Sequence, residues 1–546
     1  MSSEIDEHEI QELEETPLLD VVEGQQKLLE DVEDEALADE LERQELATSA
    51  LATVFLSLYV GVFLAALDGT IVATLLSKIA SDFHEFRSVS WIVTGYLIAQ
   101  ATFQPLYGKL SDLFGRKPVL LTCNVLFGIG SVLCGIAPSL WFLVAARVIA
   151  GAGGGGLYTL SAIILSDIVS LRQRGLLQGI GNILYGCGAA FGGILGGFLA
   201  DTVGWRWTFA IQGPIIVLSI VAISLNLKLP KAELDLNILK RIDFLGSGTL
   251  VSGLCLFLFG VSAGGNYFPW RHPVVIGSLL CSSILLVGFV YTELYIAVEP
   301  IIPLGLVKNR TVAGSALTGW FLSMGFFTNI FYVAIYLLSV KGVTPTKSGS
   351  SLIPQFIGSA SGSFFGGYYM RLTGRYYAVN IVAGICLVVG SGMLATVGLD
   401  TSSMFISIAL FLPGFGGGLY LTTTLVGLIA AVPHEFQAVC TSIAYGFRTI
   451  GMTVGVASCA AIFQNTLSAS LAKRITGPGS EDVIERVQDS ADEINNVPEY
   501  WKMDVTLSYL DAVRAVLITT TVLATCCALC SLAMKEHVLH KSVNRR

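Results

Sequence analysis

The chain has 546 residues, 53% of them hydrophobic and only 13% charged, with a formal net charge of −9. Soluble proteins carry about 25% charged residues, so this composition, with its mean hydropathy of +0.69, excludes an ordinary soluble domain. The acidity belongs to residues 1–46, which hold 18 Asp/Glu against two Lys/Arg, a net of −16 that leaves +7 for the rest, and it gives no support to a nucleic-acid role.

In chain order, residues 1–46 read as a disordered, acidic cytoplasmic tail. An acidic start lacks the basic region and apolar core of a cleavable signal, so the first helix is expected to act as its own anchor. Within the tail, Glu14-Glu15-Thr16-Pro17-Leu18-Leu19 resembles an acidic dileucine sorting signal. Clathrin-type adaptor complexes read such signals to route proteins to vacuoles or lysosomes, and short motifs of this kind also arise by chance. The apolar runs that follow are continuous rather than alternating, which argues against a β-barrel. About fourteen are long enough to span a bilayer as helices of roughly 20 residues. Six lie near 50–76, 89–107, 118–137, 140–162, 177–200 and 206–227; two near 244–264 and 273–296; six near 313–340, 349–370, 377–397, 403–430, 438–465 and 512–534.

The expected fold is an all-α polytopic membrane protein. Its parts are a tail (1–46), an N-terminal six-helix bundle (47–230), two linker helices (231–312), a C-terminal six-helix bundle (313–534) and a basic cytoplasmic tail (535–546). A long non-cytoplasmic loop, 466–511, interrupts the second bundle, and Ser480 to Ile494 within it can form a surface amphipathic helix. Lys/Arg-rich short loops place both termini in the cytosol. The sequon at Asn309 then lies on the cytosolic side and is expected to go unused. All eleven cysteines fall inside apolar runs, so no disulfide and no cysteine-based metal site is expected.

The stretch Gly108-Lys109-Leu110-Ser111-Asp112-Leu113-Phe114-Gly115-Arg116-Lys117 reads as a tight hydrophilic cytoplasmic turn between two spans. Its pattern, G-x-L-x-D-x-x-G-R-K, resembles the loop between helices 2 and 3 of the major facilitator superfamily. Gly367 to Arg375 repeats the two glycines and the arginine 259 residues later, with Arg371 where Asp112 stood. Gly154-Gly155-Gly156-Leu157-Tyr158 recurs as Gly416-Gly417-Gly418-Leu419-Tyr420 at an offset of 262, and Tyr185-Gly186 recurs as Tyr445-Gly446 at 260. Three echoes in order at nearly one offset indicate two similar halves. The resemblance implies a gating role for Gly108, Asp112, Gly115, Arg116 and Lys117.

Ionisable groups inside spans are costly and are functional candidates by default. Asp68, in Leu67-Asp68-Gly69-Thr70, resembles the first-span motif of the fourteen-spanner drug:proton antiporter branch, although it can also simply pair with Arg147 or Arg448. Arg147 resembles the fourth-span R-x-x-x-G signature linked to proton transfer. Arginine does not itself deprotonate, so its part is to bias a neighbouring carboxylate or bind water. Arg448 is open between function and close packing beside Gly451 and Gly455. Tyr96, Gln100 and Gln104, then Asn182 and Tyr185, then Asn329, Tyr332 and Tyr336 share helical faces. Together with Tyr445 they are expected to line a central substrate cavity, interhelical hydrogen bonding being the other account. Gly188, Gly192 and Gly196 form a smooth strip resembling the glycine-rich fifth span of antiporters, without the usual Gly-Pro pair. Gly204 to Phe209, and Glu299-Pro300-Ile301-Ile302-Pro303-Leu304, extend the resemblance to fungal vacuolar basic amino acid transporters.

No Walker sequence is present, the six histidines are scattered, and the glycine clusters follow no strand, so no enzyme, cofactor or metal centre is expected. The expectation is a proton-coupled antiporter carrying lysine, arginine or histidine from cytosol to vacuole. A plasma-membrane multidrug:proton exporter and a non-transporting nutrient receptor are the alternatives.

Overall fold

The computed structural model describes residues 52–539 apart from 73, 74, 77, 84, 86, 87, 170, 228, 230–242, 266, 298, 478, 490–496 and 538. Glu14, Leu18 and Leu19, with most of the basic C-tail, lie outside the described residues. The chain divides into two compact units at Ser57; in the first, the Ser57 hydroxyl donates to the Thr53 carbonyl at 2.8 Å.

Among the described residues, helix is the only extended element, beside one isolated bridge between Gly264 and Phe268. The long helices are α1 (Ala52–Val72), α2 (Trp91–Phe114), α3 (Arg116–Gly135), α4 (Leu140–Ile168), α5 (Leu171–Thr202) and α6, in two pieces (Trp205–Ala210 and Gln212–Asn226). They continue as α7 (Phe244–Ala263), α8 (Pro273–Tyr295), α9 (Arg310–Ser339), α10 (Ile353–Thr373), α11 (Tyr377–Ala395), α12 (Ser403–Ala430), α13 (Gln437–Arg474) and α14 (Glu499–Leu532). Twelve are long and apolar enough to cross a membrane; α2 and α10 match them in length at 24 and 21 residues but carry more polar side chains. Helices suit this setting because they satisfy their backbone groups internally. Side chains finish the ends: Ser139 caps α4, Ser402 caps α12 and Asp243 caps α7. Asn309 caps α9 through the Thr311 amide and also donates to the Ala431 carbonyl at 3.2 Å, so its side chain has a structural use.

Packing follows the sequence echoes. Helices α2 and α3 pack on α4 as α10 and α11 pack on α12. The glycine-rich stretches make this possible. A Cβ at Gly151 would lie 2.3 Å from the Tyr96 carbonyl, and one at Gly418 would lie 2.1 Å from that of Ser359. Gly188 and Gly192 meet α1, where added Cβ atoms would lie 2.5 Å from the Phe63 carbonyl and 2.1 Å from Thr70 Oγ1. Two further packings, α5 on α10 and α2 on α13, exchange under the same correspondence, as a pseudo-two-fold axis requires. The inserted pair α7–α8 leans on α2, where Trp91 stacks on Phe259 and Tyr267 at 5.3 and 5.2 Å.

Two expectations are corrected. The ten-residue hydrophilic turn is nearly all helix: α2 runs to Phe114, α3 starts at Arg116, and only Gly115, at φ 90°, lies between. That φ favours glycine, and neighbouring side chains take up the charges that suggested a loop. The long loop 466–511 is also largely helical. Helix α13 continues to Arg474, α14 begins at Glu499, and a short helix spans Ser480–Asp489. That short helix is the amphipathic element expected there, with Glu481, Asp482 and Arg486 exposed on one side. Val483 and Val487 are buried with Trp501, Val505 and Tyr509 in one core, and the Tyr509 hydroxyl donates to the Val487 carbonyl at 2.7 Å. All eleven cysteines are free thiols.

Candidate functional site

Asp68 on α1 and Arg147 on α4 are both sealed from solvent, at 0% and 1% exposure. Arg147 Nη1 donates to Asp68 Oδ2 at 2.6 Å, and Gln212 Nε2 on α6 donates to Oδ1 at 3.4 Å. The guanidinium carbon lies 4.2 Å from the centre of the Tyr96 ring, and Arg147 Nε has no hydrogen-bond partner. Of the two partners the sequence offered, Asp68 takes Arg147. An ion pair this dry is not primarily a stabilising device, because desolvation opposes the attraction. Removing either member leaves a bare buried charge.

A second cluster joins helices of the first six to helices of the last six. Gln178 on α5 donates to Asn182 Oδ1 at 3.3 Å and to the Tyr445 hydroxyl on α13 at 3.2 Å. Asn182 Nδ2 reaches Ser363 Oγ on α10 at 3.3 Å and Thr422 Oγ1 on α12 at 3.4 Å. Thr449 on α13 donates to Gln104 Oε1 on α2 at 2.6 Å. The Tyr158 ring lies 5.0 Å from Tyr185 and 4.7 Å from Tyr445. Arg448 stands over Tyr445 at 5.2 Å, and its Nη2 donates to the Leu421 carbonyl and Thr424 Oγ1, both at 3.1 Å. Asn182, Tyr185, Gln104, Tyr445 and Arg448 therefore meet. Gln100 sits beside Gly155 of α4, and the Tyr96 hydroxyl donates to the Ala65 carbonyl at 3.4 Å. Sequence reading missed Gln178 and Tyr158. Gln178 falls one turn before Asn182, and Tyr158 ends the repeated glycine stretch, so both carried a signal.

Tyr332 and Tyr336 do not join this cluster. Tyr332 packs on Phe463 at 5.3 Å, and the Tyr336 hydroxyl donates to the Gly398 carbonyl at 2.7 Å, in the core shared with Val483 and Trp501. Asn329 instead faces a cavity of about 10 Å³ lined by Leu387, Ser391, Pro413 and Thr520, room for about one water. The three share a helical face, but that face runs past the centre of the molecule.

The Gly108–Lys117 stretch closes one end. Arg116 pairs with Asp112 and, through Nε, with Asp167 Oδ2 at 2.9 Å. Lys117 Nζ caps the end of α6 through the Ser224 and Leu227 carbonyls at 2.8 and 2.9 Å. Lys109 reaches Glu299, beyond α8, at 2.7 Å. Gly108 abuts α13, where a Cβ would lie 2.4 Å from Ser442 Oγ, and Gly367 abuts α5, where one would lie 2.3 Å from the Gly175 carbonyl. Both exchanged contacts are thus shut at this end.

The description of the Major Facilitator Superfamily matches residues 58–456. The chain belongs to the major facilitator superfamily. Three curated fungal relatives cover most of it. Multidrug resistance protein fnx1 of Schizosaccharomyces pombe is 37% identical over 90% of this chain and 94% of its own. Vacuolar membrane amino acid uptake transporter fnx2 of the same yeast is 36% identical over 90% and 86%. Vacuolar basic amino acid transporter 1 of Saccharomyces cerevisiae is 34% identical over 81% and 83%. The fold is shared with the human organic anion transporter MFSD10, at a TM-score of 0.54 and 15% identity over 87% of this chain and 99% of that one. Major facilitator proteins are small-molecule transporters, so the chain is a transporter and not an enzyme. One consequence concerns the closed end. Asp112→Asn is expected to slow transport several-fold with near-normal abundance, since a partly exposed pair of this kind contributes about 0–1 kcal/mol to stability. Initial uptake rates normalised to protein level check this, and full activity would count against a gating role.

Proposed function

We propose that this transporter carries lysine, arginine and histidine from the cytosol into the vacuole in exchange for protons. The observation that carries this reading is the sealed Asp68–Arg147 pair. Asp68 and Glu293 are the buried carboxylates among the described residues. Glu293 is held by the Ile301 and Ile302 amides at 2.9 and 3.2 Å near the end of α8, whereas Asp68 faces a charged partner inside the span, which supports Asp68 as the group for coupling. A proton on Asp68 cancels its attraction for Arg147, and a substrate cation competes for the same charge. Proton and substrate therefore exclude one another at one carboxylate, the minimum an antiporter needs. Two relatives named for vacuolar amino acid transport support the substrate class.

The relative named for multidrug resistance supports a second reading, export of drugs. Proteoliposomes with an imposed pH gradient separate the two. Concentrative uptake of radiolabelled lysine supports the first reading; flux of tetraphenylphosphonium without lysine flux would replace it with the second.

Vacuolar delivery is assigned to Glu14, Leu18 and Leu19 acting through an adaptor complex, with both termini cytosolic. Replacing Leu18 and Leu19 by Ala is expected to move the protein off the vacuolar membrane at unchanged abundance. Fluorescence microscopy of the tagged full chain checks this, and unchanged localisation would refute it.

A further inference from the structure

Three arginines are buried among the described residues, and they are not in the same condition. Arg174 sits near the start of α5, with its Nη2 on the Ser166 carbonyl, while Arg147 and Arg448 lie deeper in their helices. Arg147 has its carboxylate. Arg448 is 7% exposed, and among the described residues no carboxylate lies within ion-pair distance of it. Its Nη2 donates to a carbonyl and a hydroxyl, while Nη1 has no hydrogen-bond partner. Arginine cannot shed its proton to escape this cost. A lone guanidinium within the spans is expensive, and such groups mark substrate pathways. Close packing does not explain the unpartnered Nη1, because packing alone is served by an apolar side chain.

The position of Arg448 gives the charge a use. It stands on the Tyr445 ring, at the edge of the cluster that joins the two sets of six helices. The Leu421 carbonyl and Thr424 hydroxyl hold Nη2 and leave the buried Nη1 with a hydrogen bond still to make. Guanidinium is the side chain best matched to a carboxylate, which it grips with two parallel donors. The cluster's polar partners, Gln178, Asn182 and Thr422, are neutral, so a monoanion suits it better than a multiply charged phosphate. Beside the guanidinium, the faces of Tyr158, Tyr185 and Tyr445 are surfaces on which an ammonium group can rest.

We propose that Arg448 is the anchor for the α-carboxylate of an amino acid substrate, held by Nη1 with the tyrosine cluster beside it. This rests on the amino acid reading of the previous subsection. The two charged ends of the substrate then meet different groups, the carboxylate at Arg448 and the competition for Asp68 elsewhere. The transporter thereby distinguishes an amino acid from a simple diamine.

The test is competition against radiolabelled lysine binding to the full-length purified protein, using lysine, lysinamide and cadaverine. Lysinamide has lost the carboxylate charge and cadaverine the whole group, while both keep a cationic end. On the unaltered protein each is expected to compete at least about tenfold more weakly than lysine, the scale of one charge-assisted hydrogen bond. In Arg448→Gln, lysine should weaken to the lysinamide level, so that the ratio falls to near one; Arg448→Lys should restore part of it. Equal competition by lysine and lysinamide on the unaltered protein overturns the proposal, and that measurement needs no variant to fold. So does an unchanged ratio in Arg448→Gln. In either case normal lysine uptake would leave the amino acid reading standing. Absence of binding and uptake for all three basic amino acids in the unaltered protein would instead remove both.

Discussion

Asp68→Asn is expected to abolish pH-gradient-driven lysine uptake and to lower the stability of the purified protein. Both effects come from one fact: Asp68 lies 2.6 Å from an arginine as dry as itself. Asparagine removes the exchangeable proton, so substrate and proton no longer exclude one another. It also strands Arg147, whose Nε already lacks a partner. Breaking one side of a buried pair costs about 3–5 kcal/mol, because the remaining charge stays desolvated. The Gln212 amide offers only its neutral Oε1 as an acceptor, which can take a hydrogen bond from Arg147 but does not neutralise the stranded charge. A double variant, Asp68→Asn with Arg147→Gln, separates the two effects. It should recover most of the lost thermal stability, because no bare charge remains, and recover none of the uptake. Thermal unfolding in detergent and uptake in proteoliposomes are the measurements. If Asp68→Asn alone still accumulates lysine against its gradient, the coupling site is elsewhere.

The candidate residues were legible to different degrees for physical reasons. A charge inside an apolar run is conspicuous, which is why Asp68, Arg147 and Arg448 stood out. Which arginine Asp68 takes depends on how α1, α4 and α6 come together, and no local pattern encodes that. Helical periodicity correctly put Tyr332 and Tyr336 on one face of α9. It cannot say what that face meets, and the core they join includes Val483 and Val487 from the expected amphipathic helix and Trp501 from the start of α14, where charged residues read as loop. The repeats fared better. Glycine stretches are needed where backbones touch, so their recurrence foretold that α4 and α12 hold equivalent places, one between α2 and α3 and the other between α10 and α11. The Lys109–Glu299 pair was beyond reach, since it joins residues 190 positions apart that sit in two different motifs.

Gly108→Val is expected to reduce lysine uptake to background while leaving lysine binding and protein abundance nearly intact. In the structure Gly108 faces α13 so closely that even a methyl carbon would lie 2.4 Å from Ser442 Oγ, 2.8 Å from the Ala438 carbonyl and 2.9 Å from Val439 Cα. Two of those three atoms are backbone, which cannot rotate away. The Ser442 hydroxyl is itself committed to the Pro105 and Val439 carbonyls at 3.1 and 2.8 Å. Valine would therefore have to push α2 and α13 apart at this end, which the proposed orientation places on the cytosolic side. Overpacking of this kind costs about 1–3 kcal/mol, and it is paid only in the conformation where the two helices touch. That differential alone shifts the balance between closed and open forms by roughly 5- to 150-fold. A carrier that cannot close this end still admits substrate there but cannot release it across the membrane. Gly108→Ala adds the methyl without the branch and should fall between glycine and valine in uptake. The same substitution at Gly367, which approaches the Gly175 carbonyl on α5, should reproduce the defect, because the two contacts exchange under the pseudo-two-fold. Normal uptake by Gly108→Val would mean that the α2–α13 contact need not form during transport, and the closed end would then be no gate.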